Sequence, residues 1–166
     1  MLSGVLETLT ERYKILIMRK IKLFLGFVIF VSVIAVSCTK TQYEKDEEII
    51  KQYIEDHNLN AVELDYTGLY YVIEKPGGSQ HPHSNSEVTV NYHGELVDGT
   101  VFGENDTVKL SLLETITGWQ MGVPLIGEGG SIKLLIPSQY GYGKSGSGKV
   151  PKNAVLIFDI DLILFN

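Results

Sequence analysis

Residues able to do chemistry on their own are few in this chain, and their spacing keeps them apart. Cys38 is the sole cysteine, which excludes a disulfide framework and any multi-cysteine metal centre. His81 and His83 flank Pro82, which points them apart, and no acid or cysteine adjoins them, so this tract reads as a solvated loop and not as a metal pair. The serines lack a G-x-S-x-G setting, and His57, His81, His83 and His93 have no paired nucleophile. The tract GYGKSGSGK, residues 141–149, has glycines and lysines without the G-x-x-x-x-G-K-[ST] order, and it opens no helix, so it is a poor phosphate cradle. What remains is a set of large side chains next to turns: Tyr92, Phe102, Ile116, Trp119, Tyr142 and Phe158. Such residues either fill the core of a small sheet domain or wall a dry pocket that grips an apolar group. No cofactor and no metal is expected.

Charge narrows the partners. The 166 residues carry 14 basic and 20 acidic side chains, a net −6. Residues 1–37 hold five of the basic and two of the acidic groups, which leaves 129 residues at −9 with no arginine. Backbone binding to nucleic acid needs a positive surface, and bidentate phosphate recognition leans on arginine, so nucleic acid is not an expected partner.

The N-terminal stretch reads as an address. Met18 to Lys22 is basic, and Leu23 to Val36 is an uncharged run of 14 residues, too short to span a bilayer and suited to a signal peptide's apolar region. Ala35-Val36-Ser37-Cys38 resembles the lipobox of bacterial lipoproteins, in which the cysteine is lipidated and becomes the first mature residue. Cys38 is therefore the expected lipidation site. A membrane-anchoring helix with an incidental cysteine is the other reading. Residues 1–37 are taken as leader, with Met18 a better start than Met1, and 38–45 as a polar tether.

Behind the tether the chain must position the aromatic set. Ile49, Ile50, Tyr53, Ile54 and His57 recur at helical spacing, and Asp46, Glu47 and Glu48 would suit a helix start, so 46–67 is expected to hold a short amphipathic helix and a connection. That helix packs either on the domain or on a second copy. From Gly68 the period falls to two: Leu69, Tyr71 and Ile73 predict a strand closed by Lys75-Pro76-Gly77-Gly78. Val88, Val90 and Tyr92 predict a second, Asp98-Gly99 a hairpin turn, Thr100-Val101-Phe102 the return, and Val108, Leu110 and Leu112 another strand. Thr117 to Val123 allows about two helical turns. Ile132, Leu134 and Ile136 predict a further strand, and Leu156, Phe158, Ile160, Leu162 and Leu164 one apolar face of the last, with Asp159 and Asp161 opposite. The class is α+β with an antiparallel sheet.

Four segments in this order, VNYHGELVDGTVF, TITGWQMGV, LLIPSQYGYG and VPKNAVLIFDIDLI, resemble an FKBP-type peptidyl-prolyl cis-trans isomerase, in its bacterial lipoprotein form. The resemblance covers about 88–164 within a domain of 68–166. It implies a twisted antiparallel sheet wrapped around one short helix, with a proline-binding cleft between them. It also implies a catalytic set of Tyr92, Phe102, Ile116, Trp119, Tyr142 and Phe158, with Leu110, Thr115 and Val150 binding substrate. Trp119 would floor the pocket, Tyr92 and Phe158 would wall it, and the Ile116 N–H and Tyr142 hydroxyl would donate to substrate carbonyls. Partners implied are proline-containing polypeptides and macrolide inhibitors.

Four positions depart from the family pattern. Gly103 stands where an acid usually lines the cleft, with Glu104 one step on; either the backbone takes a positive φ there or the cleft lacks that acid. Leu110 substitutes for a second aromatic, Thr115 for an aliphatic residue and Lys149 for a hydrophobic one. Two functions compete: an isomerase assisting folding of exported proteins from a lipid anchor in the bacterial cell envelope, and a binding chaperone with negligible turnover. A solute-binding lipoprotein is disfavoured because 129 residues leave little room for two closing lobes.

Overall fold

The computed structural model describes residues 14, 17–21 and 40–166, and divides the chain into two units, 1–39 and 40–166. In the first, residues 17–21 are helical. Cys38 and the apolar run lie outside the described residues. Among the described residues no helix is long and apolar enough to cross a membrane.

The second unit opens with α1 (Gln42–Asp56), four residues before the expected start, so the helix takes up half of the expected tether. The reason is local chemistry. Thr41 caps the helix by accepting from the Glu44 N–H at 3.3 Å, and the Glu44 carboxylate accepts from the Thr41 N–H at 2.7 Å. This reciprocal capping box satisfies two donors that a helix start leaves open. The Thr41 N–H, and less strongly the Thr41 hydroxyl at 3.0 Å, donate to the Glu44 carboxylate and hold it below its ordinary pKa. Asp46, expected near the start, sits instead in the second turn and is buried with Ile50 and Tyr53. Of the other residues expected on the apolar face, Ile54 packs partly buried at its margin, Ile49 is exposed, and the exposed His57 stacks on the Tyr53 ring at 3.9 Å.

Six antiparallel strands follow: β1 (Val62–Glu63), β2 (Tyr70–Lys75), β3 (Glu87–Leu96), β4 (Val101–Ser111), β5 (Ser131–Ile136) and β6 (Leu156–Phe165), in the spatial order β1-β2-β5-β6-β3-β4. The expected return and the strand after it are one strand, β4, whose polar middle pairs with β3 at a sheet edge. A register shift between Val90 and Tyr92 accommodates the extra residue. Thr107 there takes φ 56°, and the Asn91 side chain accepts its N–H at 2.8 Å.

Both faces of the central strands are covered, which explains contiguous apolar runs such as Leu134-Leu135-Ile136 and Leu156-Ile157-Phe158. One face, with Leu134, Ile136, Phe158 and Ile160, packs against α2 (Thr117–Gly122) and its 3-10 continuation Val123–Leu125. The other, with Tyr70, Leu135 and Ile157, is covered by Ile50 and Tyr53 of α1, so that helix packs on its own domain. Leu164, expected on the apolar face of the last strand, lies outside the core. It is 44% exposed, because the β3–β6 register slips between Thr89 and Val90 and reverses the alternation, turning Phe165 inward in its place.

Candidate active site

The aromatic set converges because one glycine and one bulge let it. On β3, Gly94 pairs with Phe158 of β6 on one side and Gly103 of β4 on the other. A Cβ at Gly94 would lie 2.7 Å from Phe158 Cε1 and 2.8 Å from Phe102 Cε2, so only glycine leaves both rings their places. The register then shifts between Gly94 and Glu95, leaving Phe102 without a pairing partner on β3. A bulge of this kind re-aims a side chain. The Phe102 ring meets Phe158 edge-on at 5.3 Å.

The other rings join the same cluster. Trp119 of α2 is edge-to-face with both Tyr92 and Phe158 at 5.3 Å, and Tyr92 tilts against Phe158 at 6.3 Å. These spacings are those at which aromatic quadrupoles attract. Trp119 and Phe158 are each 4% exposed, and the indole Nε1 is buried with no hydrogen-bond partner among the described residues.

Above them opens a cavity of about 320 Å³, lined by Tyr92, Phe102, Gly103, Leu110, Glu114, Thr115, Ile116, Trp119, Tyr142 and Phe158. Eight of the nine expected pocket residues are thus brought together. Val150 is not among them: it is buried in the core, and its N–H and C=O pair with Ser147 at 2.8 and 3.0 Å, tying off the glycine-rich loop. Two larger hollows lie elsewhere, one of about 500 Å³ among carboxylates and amides of the polar sheet face, the other of about 570 Å³ between α1 and Val97 of the β3–β4 turn. The first is polar, and the second sets Ile49, Val97 and the Tyr53 and His57 rings among charged side chains; neither gathers the Tyr92, Phe102, Trp119 and Phe158 rings.

Two of the lining residues carry polar donors, Ile116 its backbone N–H and Tyr142 its hydroxyl. The Ile116 N–H precedes α2 and donates to no group among the described residues. Its segment is fixed by the Gln120 amide, which donates to Thr115 O at 2.9 Å, and by the Thr115 hydroxyl, which donates to Leu112 O at 2.7 Å. Thr115 therefore spends its hydroxyl on the backbone. Tyr142 is 36% exposed, and burial, with a smaller contribution from Tyr92, raises its pKa above the ordinary tyrosine value, so the hydroxyl stays a neutral donor. Among the described residues no group of three His, Cys, Asp or Glu side chains is placed to hold a metal, and His81 Nδ1 lies 2.9 Å from Pro124 O.

A family model described as FKBP-type peptidyl-prolyl cis-trans isomerase matches residues 78–163, the stretch that supplies every wall of this cavity. The chain belongs to that family.

Among its relatives, FkpA of Buchnera aphidicola (Schizaphis graminum), an FKBP-type peptidyl-prolyl cis-trans isomerase, is 36% identical over 140 residues, covering 76% of this chain and 54% of the relative. The chain spans about half the length of the curated relatives it matches. Two crystal structures share the FKBP-type fold. FkpA from Escherichia coli superposes with TM-score 0.66 at 28% identity, over 90% of this chain and 71% of that one. A peptidyl-prolyl cis-trans isomerase from Pseudomonas syringae gives 0.64 at 26%, over 77% and 98%.

Set against the FKBP-type pattern, Gly103 is not a strained position. Its φ lies outside the left-handed region, and a Cβ there would meet Tyr92 at 3.6 Å, an ordinary contact. Glu104 does not substitute for the missing acid. It pairs with His93 on the polar face, 3.5 Å from His93 Nδ1, because successive strand residues point to opposite sides. The carboxylate that does line the cavity is Glu114, on a 3-10 turn after β4. Sequence reading passed over Glu114 and Gln120, since a 3-10 turn and a helix of six residues are too short for a period that shows which side chains face inward. Their nearness to Thr115-Ile116 was the one available signal.

Proposed function

We propose that the chain is a peptidyl-prolyl cis-trans isomerase that accelerates X-Pro rotation during folding of exported polypeptides. The observation that carries this reading is the aromatic cavity with two uncommitted donors and no nucleophile. Twisting an amide costs about 18–20 kcal/mol because resonance is lost, and X-Pro bonds cross that barrier in tens to hundreds of seconds. No bond is made or cut, so a site needs only to favour the twisted, less polar amide over the planar one. The rings of Tyr92, Trp119 and Phe158 exclude water around a proline ring, while the Ile116 N–H and Tyr142 hydroxyl hold flanking carbonyls. Leu110 and Phe102 close the sides, and a macrolide inhibitor would compete for the same space. A protease-coupled assay on short X-Pro peptides tests the reading; a rate equal to the uncatalysed one would refute it.

Gly103 supports a second reading, a chaperone that grips unfolded chains at this cleft with negligible turnover. Gly103→Asp separates the two. The contact distances leave room for the side chain, so stability is expected to stay within about 0.5 kcal/mol. Isomerase activity or inhibitor affinity is expected to rise as the carboxylate enters the mouth. A folded variant with no gain on several X-Pro peptides shifts weight to the chaperone.

Tyr142→Phe keeps the ring and removes one donor. The expected loss of transition-state binding is about 0.5–1.5 kcal/mol, the range for a neutral hydrogen bond, with the melting temperature unchanged. Unchanged kcat/KM would return Tyr142 to loop packing.

Placement in the bacterial envelope, with the domain outside the cytoplasm, rests on the apolar run Leu23 to Val36 followed by Ser37-Cys38. Lipid on Cys38 would hold the domain at a membrane. Cys38→Ala is expected to shift the protein to the soluble fraction, and wild type should incorporate labelled fatty acid. A variant that stays membrane-bound, beside a wild type without label, would sink the anchor.

A further inference from the structure

We infer that Asp46, on the far side of the sheet from the cleft, is a positioning residue for the site: through Ser138 it sets the loop that carries Tyr142. The inference rests on the isomerase reading above.

Asp46 and Ser138, 1% and 2% exposed, are the only buried polar or charged side chains among the described residues. Asp46 Oδ2 accepts from the Ser138 N–H at 2.9 Å and from its hydroxyl at 2.6 Å, while Oδ1 accepts from the Gln42 amide at 2.6 Å. The Ser138 carbonyl faces the other way along the chain. It accepts from the Gly141 N–H at 3.1 Å and the Gly143 N–H at 2.9 Å, the residues on either side of Tyr142. Every polar group of Ser138 is thus committed, two to α1 and one to the loop.

The far end of the loop is held separately, by Gly146 N–H to Tyr142 O at 3.1 Å and Asn153 N–H to Gly143 O at 2.7 Å. Losing Asp46 would therefore free one end only. Ile50 and Tyr53 already attach α1 to the sheet by apolar burial, so docking alone does not call for a buried carboxylate. Desolvating one is costly unless its bonds are made, and an apolar pair serves adhesion as well or better. What a carboxylate adds is direction. With the acceptor removed, the Ser138 N–H is a buried orphan, and the turn must shift to find another partner.

The test uses the full chain with Asp46→Ala, Asp46→Asn, Tyr142→Phe and the Asp46→Ala/Tyr142→Phe pair. Amide hydrogen exchange and kcat/KM on an X-Pro peptide are measured on each. Asp46→Ala is expected to speed exchange at Gly141 and Gly143 by ten-fold or more, with the β3–β6 ladder unaffected. It should lower kcat/KM about five-fold, mostly through KM. Asp46→Asn, which keeps an acceptor oxygen, should recover at least half of the loss. In the double variant the two losses should not multiply, although the residues do not touch, because a misplaced hydroxyl has little left to lose. Should Asp46→Ala fail to fold, Ser138→Ala is the substitute: it removes one of the two bonds and should give the same pattern at smaller size. Active wild type with multiplying losses, or with unchanged exchange at Gly141 and Gly143, overturns this inference and leaves the isomerase standing. Inactive wild type overturns both.

Discussion

Replacing Phe158 by alanine is expected to cost about 3–5 kcal/mol of stability, the range for emptying a buried aromatic site. Phe158 is the hub of the cluster, in contact with Phe102, Trp119 and Tyr92, and it is 4% exposed. The void would open beneath the cleft, where both Phe102 and Trp119 meet the Phe158 ring edge-on. Urea unfolding measures the loss, and a cost under about 1 kcal/mol would mean that the cluster collapses around the gap. Because such a variant can lose activity through unfolding alone, Phe158→Leu is the informative companion. It keeps most of the apolar volume and forfeits the ring, so stability should fall by no more than about 1.5 kcal/mol. The cavity, however, loses an aromatic wall. Full isomerase activity in Phe158→Leu would show that apolar bulk, and not ring geometry, is what the substrate needs.

The second large effect is expected at Gly118, where two forces oppose each other. Alanine in a helix is favoured over glycine by about 1 kcal/mol. Here, though, a Cβ would fall 2.5 Å from Ile136 Cγ2 and 2.7 Å from Cδ1, and Ile136 is fully buried in β5. Gly122, one turn later, abuts Leu134 at the same 2.5 Å, so α2 lies on β5 along two glycines and cannot rotate to relieve one contact without worsening the other. Overpacking a filled core costs about 1–3 kcal/mol, which outweighs the propensity gain. Gly118→Ala should therefore destabilise, and it should shift the intrinsic fluorescence of Trp119, the next residue, as α2 lifts off the sheet. A neutral or stabilised variant would show that the Ile136 side chain moves aside at little cost.

Alternation is a short-range property, and wherever strands ran unbroken it could be read from residue types alone. Val88 and Val90 pointing inward, Asp159 and Asp161 pointing out, and the hairpin at Asp98-Gly99 all follow from a period of two and a turn pair. The ring residues and Ile116 of the cleft were legible too, by the order of four motif blocks, and they are brought together in one cavity. The readings that missed are those in which a partner strand or helix decided. Leu164 lost its place inside because β3 and β6 slip by one residue near their ends, and a slip in register is invisible in either strand by itself. Glu104 stands one step from the position of the family's acid, and the parity set by pairing with His93 sends it to the opposite face. Val150 carried the right type for a pocket wall, and the loop's own bridge to Ser147 turned it into core.

Asp46 is the sharpest case. Beside Glu47 and Glu48 it reads as one more acid suited to a helix start, since nothing in its neighbours announces Ser138, 92 residues away. Composition and spacing determined which residues were available to make a dry, nucleophile-free cleft. Tertiary structure decided which of them face it, because facing depends on register, on bulges and on hydrogen bonds between segments far apart in the chain, and those are set only when the two faces of the sheet are covered at once.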